Sequence, residues 1–239
     1  MKIIKPSFEI LTVNGMPLSN KTGKDVLKFI ELIGRVCYKS EDKITDTSAE
    51  KMVRSLVQRG HESVIEHFVI TVRIVCDRGV THEIVRHRIG SYSQESTRYC
   101  NYKTRGIQII EPFFFEEGTK KYDEWLGAMK DSEKHYNKLI ELGASPQEAR
   151  SVLPNSLKTE IVVTYNLREW RHFFKMRCSE AAHPQMREVA IPILKEFQEI
   201  FPVFFDDLNF DLWSLGAHNI ELLSKTKALF FLHTKFATY

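Results

Sequence analysis

Phe68, Ile70, Val72, Ile74 and Cys76 occupy every second position of one stretch of the chain. Side chains two apart on an extended backbone point the same way, so this run predicts a strand with one apolar face that another layer must cover. Residues 157–165 (LKTEIVVTY) and 106–111 (GIQIIE) read as further strands, and 8–19 (FEILTVNGMPLS) as a hairpin turning at its Asn-Gly pair. Such a sheet needs helices against it.

The helices are marked by spacing and punctuation. Val26, Phe29, Ile30, Ile33 and Val36 recur at helical intervals within 24–38. Thr47 and Glu50 have capping-box spacing ahead of a helix ending near Gly60, and Ser145, Pro146 and Glu148 open another that runs through Leu153 to a stop at Pro154. Further helices are expected over 79–88, 167–178 and 184–201, the last with Pro192 as a place to kink. Helices outnumber strands, and no repeat or Gly/Ser linker divides the chain. The expected fold is α+β: a single domain over residues 1–239, with a central, mainly antiparallel sheet packed by helices and a helix-rich C-terminal half.

With 34 basic against 31 acidic residues the net charge is only +3, so no global field draws the protein to nucleic acid or to an acidic membrane. No stretch reaches the roughly 18 apolar residues of a membrane span, and the first residues lack the apolar run of a secretory leader, which together predict a cytoplasmic protein. Cys37, Cys76, Cys100 and Cys178 are far apart with no CxxC pair, and are expected to be reduced thiols.

Charge is concentrated locally instead. Between Arg86 and Arg105 five Arg/Lys face one acid, Glu95, with Tyr92, Tyr99 and Tyr102 interleaved and Ser91, Ser93 and Ser96 adding hydroxyls. The planar fork of arginine matches phosphate oxygens in pairs, so this stretch, expected to be largely loop, predicts an anion site. A second cluster, Arg168, Arg171, His172, Lys175 and Arg177, lies on the 167–178 helix, and 168, 172 and 175 share one broad face of it. Arg150 is a third, separate element.

Other chemistries fit the residues less well. His82 and His87 are five apart and His61 and His67 six apart, whereas a helical zinc motif needs histidines four apart, so no metal is expected. There is no GxxxxGK[ST] loop, no GxGxxG fingerprint and no G-x-S-x-G elbow around Ser96. Any grip on phosphate must come from side chains. Single-stranded nucleic-acid binding, with the tyrosines stacking bases, is the competing class, and the low net charge counts against it.

Arg86-His87-Arg88, seven further residues, then Ser96 and Arg98 form an RHR…SxR signature. It is preceded by GHESVIEH (60–67) and followed by EARSVLP (148–154) and NLREWRHFFKMR (166–177). In order and spacing these blocks, over roughly residues 60 to 190, resemble the flavin-dependent thymidylate synthases. The resemblance implies methylation of dUMP at uracil C5, with methylenetetrahydrofolate as carbon donor and FAD, reduced by NADPH, as hydride source. It also implies a homotetramer with shared active sites, and no nucleic-acid or membrane partner.

Carried over residue by residue, the resemblance places Ser63, Glu66, Arg86, His87, Arg88, Gln94, Asn166, Arg168, His172 and His183 around FAD. For dUMP it indicates Glu83, Arg86, Gln94, Glu95, Ser96, Thr97, Arg98, Arg150 and Arg177, with Arg177 activating the uracil electrostatically and no protein nucleophile. The chain departs from the pattern at Glu83 and Gln94, where many relatives have glutamine and glutamate, so the charge is exchanged between the two places. His172 stands where some relatives have asparagine.

Overall fold

The structure, a computed structural model, describes residues 1–16 and 23–210. The first half contains β1 (Lys2–Ile4), β2 (Ser7–Val13), α1 (Gly23–Tyr38), α2 (Ser48–Gln58), β3 (Val69–Asp77), α3 (Arg78–Ile84), β4 (Ser91–Gln94), α4 (Tyr102–Arg105) and β5 (Gln108–Ile110). There follow α5 (Lys120–Glu141), α6 (Pro146–Ala149), β6 (Lys158–Asn166), α7 (Leu167–Arg177), α8 (Pro184–Ile200) and α9 (Pro202–Phe205).

The fold is α+β, as the patterning predicts. β2, β3, β6 and β4 pair antiparallel in that order, and β3 and β6 run in register from Val69 opposite Asn166 to Asp77 opposite Lys158. A small parallel pair, β1 with β5, lies apart from this sheet. Phe68, Ile70, Val72, Ile74 and Cys76 are all buried, joined from β6 by Ile161, Val163 and Tyr165. Against that face α7 brings Trp170, Phe173 and Phe174, and α8 brings Phe197. Burying each such apolar side chain contributes about 1.5–3 kcal/mol, so the layer that carries the arginines of α7 is anchored by its opposite face. Trp170 also donates from its indole nitrogen to the Ile70 carbonyl at 3.1 Å, pinning α7 to β3.

Local punctuation agrees with the sequence in most places. Asn14 and Gly15 have φ of 51° and 77°, the left-handed pair that a two-residue hairpin turn requires, and Val13 and Met16 exchange backbone hydrogen bonds across them. The expected return strand at 17–19 lies outside the described residues. Gly60, at φ 72°, ends α2, and the Ser145–Glu148 box closes ahead of α6.

Five features differ. The Thr47–Glu50 box does not form: Ser48 Oγ ties back to Thr45 and Glu50 turns toward Arg54. The 79–88 helix ends at Ile84, and the 145–153 helix becomes a 3-10 turn, Arg150–Val152, after Ala149. Part of the polar stretch, Ser91–Gln94, is a strand at the sheet edge. Finally, α5 was not anticipated, and it packs Met129 and Tyr136 into a second apolar cluster with Ile109 and Leu157.

Candidate active site

Three elements converge on one cleft. α3, capped at its start by Asp77 through a 2.7 Å bond from Val80 N, ends at Ile84. The chain then winds through Arg86 and His87, whose backbone amides donate to Glu83 and Ile84 carbonyls. α7 begins at Asn166, whose side-chain oxygen caps the helix by accepting from Glu169 N at 2.8 Å. The short 3-10 helix Glu62–His67 closes the third side. The resulting open cleft has a volume of about 640 Å³.

At its floor lies a continuous hydrogen-bonded chain. Arg177 Nε donates to His87 Nε2 at 3.0 Å, and His87 Nδ1 lies 2.9 Å from Glu169 Oε1. An arginine nitrogen can only donate, so His87 Nε2 is the acceptor and the ring proton sits on Nδ1, pointing at the carboxylate. Burial holds the His87 pKa below its ordinary value, opposed by the Glu169 hydrogen bond and reinforced by the Arg177 charge; the ring is neutral at pH 7. The other edge of Arg177 is also held: Nη1 donates to Glu83 Oε2 at 2.8 Å and Nη2 to the Glu83 carbonyl at 3.0 Å. The guanidinium is fixed on both edges.

His87, Glu169 and His172 offer ligand atoms within 4.8 Å of one another. Both nitrogens of His87 are already engaged, one of them by a cation, and a metal at Nδ1 would have to displace the proton that Glu169 holds. His87 and Glu169 form a hydrogen-bonded pair, and His172 meets the His87 ring edge to face.

The cleft gathers Glu66, Arg86, His87, Arg88, Asn166, Arg168 and His172, seven of the residues expected around the cofactor, together with Arg177. Ser63 lines an adjoining recess of about 370 Å³ that shares Glu62 and Arg168 with it. The donor set suits a flavin dinucleotide. Arg86 and Arg88 are exposed and form no ion pair among the described residues, which leaves their forks free for phosphate oxygens. His87 and His172 meet edge to face at 5.4 Å, and Ile89 and Met176 add apolar wall for a ring system.

The remaining expected residues lie elsewhere on the chain. Gln94 donates to Thr81 Oγ1 at 2.9 Å, and Glu95 accepts from Tyr102 at 2.8 Å and Lys158 at 3.0 Å, both lining a separate cleft of about 530 Å³. Arg150 reaches Thr97 at 3.4 Å, Ser96 Oγ accepts from Arg98 N at 3.3 Å, and Arg98 lies over the Tyr99 ring. His183 caps α8 by accepting from Gln185 N. Asn166 and Lys158 mark opposite ends of β6, about 26 Å apart at 3.3 Å per residue.

Arg171 borders the cleft, but its guanidinium is committed to the fold. It is buried, paired with both oxygens of Asp207 at 2.7 Å, and donates to the Phe204 carbonyl, clasping α7 to the end of α9. Glu169 is the residue that sequence reasoning missed, because three places after a capping asparagine it reads as an ordinary first-turn glutamate.

A family model described as "Thymidylate synthase complementing protein" matches residues 18–203. The chain is 41% identical to a flavin-dependent thymidylate synthase of Pyrococcus horikoshii over 68% of this chain and 69% of that one. It is 39% identical to the Pyrococcus furiosus protein of that description over 66% of each chain, and 34% identical to one of Geobacter sulfurreducens over 74% of this chain and 80% of the relative.

Proposed function

The chain belongs to the flavin-dependent thymidylate synthase family, and on that premise we propose that it converts dUMP to dTMP by reductive methylation. Methylenetetrahydrofolate is the carbon donor, and FAD, reduced by NADPH, supplies the hydride when bound. The observation that carries this reading is the meeting of Arg177 with the Arg86–Arg88 loop, ninety residues away in sequence, at the floor of a cationic cleft.

Arg86, Arg88 and Arg168, with Ser63, Asn166 and His172, hold the cofactor. Glu66 pairs with Arg168 at 2.5 Å and so sets where that cation stands. Arg98 and Arg150 grip the nucleotide phosphate from separate elements, with Gln94, Glu95, Ser96 and Thr97 around them. Arg177 stabilises negative charge on the uracil and enriches C5 as a nucleophile, an electrostatic role that needs no proton from the arginine. On this reading no protein nucleophile is needed, and the two buried cysteines are poor ones: burial pushes the Cys178 thiol up to about 12, and the Cys76 thiol is raised by the same cause.

The two groups of site residues lie toward opposite ends of β6, and this supports a homotetramer whose active sites are completed by more than one chain. Phe29, Leu32 and Val36 share one face of α1 at 37%, 52% and 51% exposure, a surface suited to a subunit contact. The four cysteines are free, which suits the cytoplasm. Among the described residues no helix is long and apolar enough to cross a membrane. We assign residues 1–239 to one domain of this kind.

The test is direct. Purified protein should bind FAD, and after anaerobic reduction by NADPH it should yield dTMP when dUMP and methylenetetrahydrofolate are added. A correctly folded protein that binds FAD and forms no dTMP at saturating substrates contradicts the reading.

A further inference from the structure

Arg177 is reached from inside the protein through two buried side chains. His87 and Glu169 are 4% and 8% exposed, and Glu169 is placed by the first turn of α7, where its own amide is held by Asn166. A first-turn glutamate commonly reaches back to the start of its helix; this one has its Oε1 on His87 Nδ1 instead.

We propose that Glu169 is a positioning residue for Arg177, acting through His87: the carboxylate keeps the imidazole proton on Nδ1, so that Nε2 presents a lone pair to Arg177 Nε and fixes the guanidinium. This rests on the thymidylate synthase reading for its effect on the reaction, but the relay itself is a property of the ligand-free protein. Without the carboxylate the ring is free to carry its proton on Nε2. Two N–H groups would then face each other at 3.0 Å, the bond to Arg177 would be lost, and Glu83 alone would hold the guanidinium. A glutamine at 169 preserves size but not tautomer control, because its amide both donates and accepts. No proton moves along the chain during turnover; the device sets orientation only.

Two measurements decide the matter. In wild-type protein labelled with ¹⁵N-histidine and free of ligands, long-range ¹H–¹⁵N correlation should show His87 protonated at Nδ1 and unprotonated at Nε2, the signal being assigned by its loss in His87→Gln. An Nε2–H tautomer overturns the proposal whatever the reaction proves to be, and does so even if no Glu169 variant folds. The second is a double-mutant cycle on the anaerobic reoxidation of reduced flavin by dUMP and methylenetetrahydrofolate. Glu169→Gln should slow that step roughly 10- to 100-fold in the wild-type background, the loss of a charge-assisted hydrogen bond, and should have little further effect beside Arg177→Lys. Equal slowing in both backgrounds would make Glu169 a structural residue. Absence of reaction in wild-type protein would instead refute the functional reading on which the kinetic claim depends.

Discussion

Nη1 of Arg177 donates to Oε2 of Glu83 across 2.8 Å, so the cation expected to act on the pyrimidine is offset by a carboxylate before any nucleotide arrives. An anionic ligand must compete with that carboxylate. Glu83→Gln is therefore expected to tighten dUMP binding about 3- to 10-fold, about 0.6–1.4 kcal/mol, by isothermal titration. Weaker binding would identify the Glu83 carboxylate as a nucleotide contact.

The phosphate grip is expected to be separable from the chemistry. Arg98→Ala and Arg150→Ala each remove a charged donor outside α7, and each should weaken dUMP roughly 10- to 150-fold, about 1.5–3 kcal/mol, with FAD affinity nearly intact. Equal dUMP affinity in wild type and Arg98→Ala rules out that role for Arg98.

Gly90 sits where a side chain does not fit. A Cβ there would lie 2.3 Å from two ring carbons of the buried Tyr165 and 3.2 Å from the Thr164 carbonyl oxygen. Gly90→Ala should cost about 1–3 kcal/mol of stability and, because it displaces the loop carrying Arg86 and Arg88, should also weaken FAD binding. Thermal melting and FAD titration check both effects; an unchanged melting temperature would mean that the Tyr165 ring moves aside.

Glu188, on α8, has a buried Oε2 with no hydrogen-bond partner among the described residues. Burial, aided by Asp77 and Glu111 and opposed by Lys5, raises its pKa to about 7. A carboxyl whose folded pKa lies above its unfolded value loses stability as pH rises from the unfolded value through the folded one, because the folded state keeps a proton that the unfolded state has released. Glu188→Gln should accordingly stabilise the protein, and by about 2 kcal/mol more at pH 8.5 than at pH 5.5. Denaturant titrations at the two pH values test this, and an equal gain at both would show that Glu188 is not protonated in the fold.

The parts of this architecture legible in the sequence are those whose burial is periodic. Phe68 to Cys76 alternate because one face of β3 is covered, and α7 announces itself by Leu167, Trp170, Phe173 and Phe174 beneath its arginines. α5 is not legible because its buried positions, Tyr122, Met129 and Tyr136, lie a full seven residues apart on an otherwise polar helix. β4 escaped for a different reason: Ser91–Gln94 has no apolar face and is a strand because β6 offers it a ladder. At the site, the clustered cations were visible, but Glu169 and the Glu83–Arg177 pair were not, since their partners are 82 and 94 residues away.

Arg177, as proposed above, acts on the pyrimidine and does more than bind it. Arg177→Lys keeps a positive charge but loses the planar donors that His87 and Glu83 now hold, so reduction of the flavin by NADPH should largely survive. Stopped-flow measurement of reoxidation, without oxygen and at saturating dUMP and methylenetetrahydrofolate, isolates the step at issue. The variant should reoxidise at least about 100-fold more slowly than wild type, roughly 2.7 kcal/mol of lost transition-state stabilisation; reoxidation at the wild-type rate would make Arg177 a binding or structural residue only.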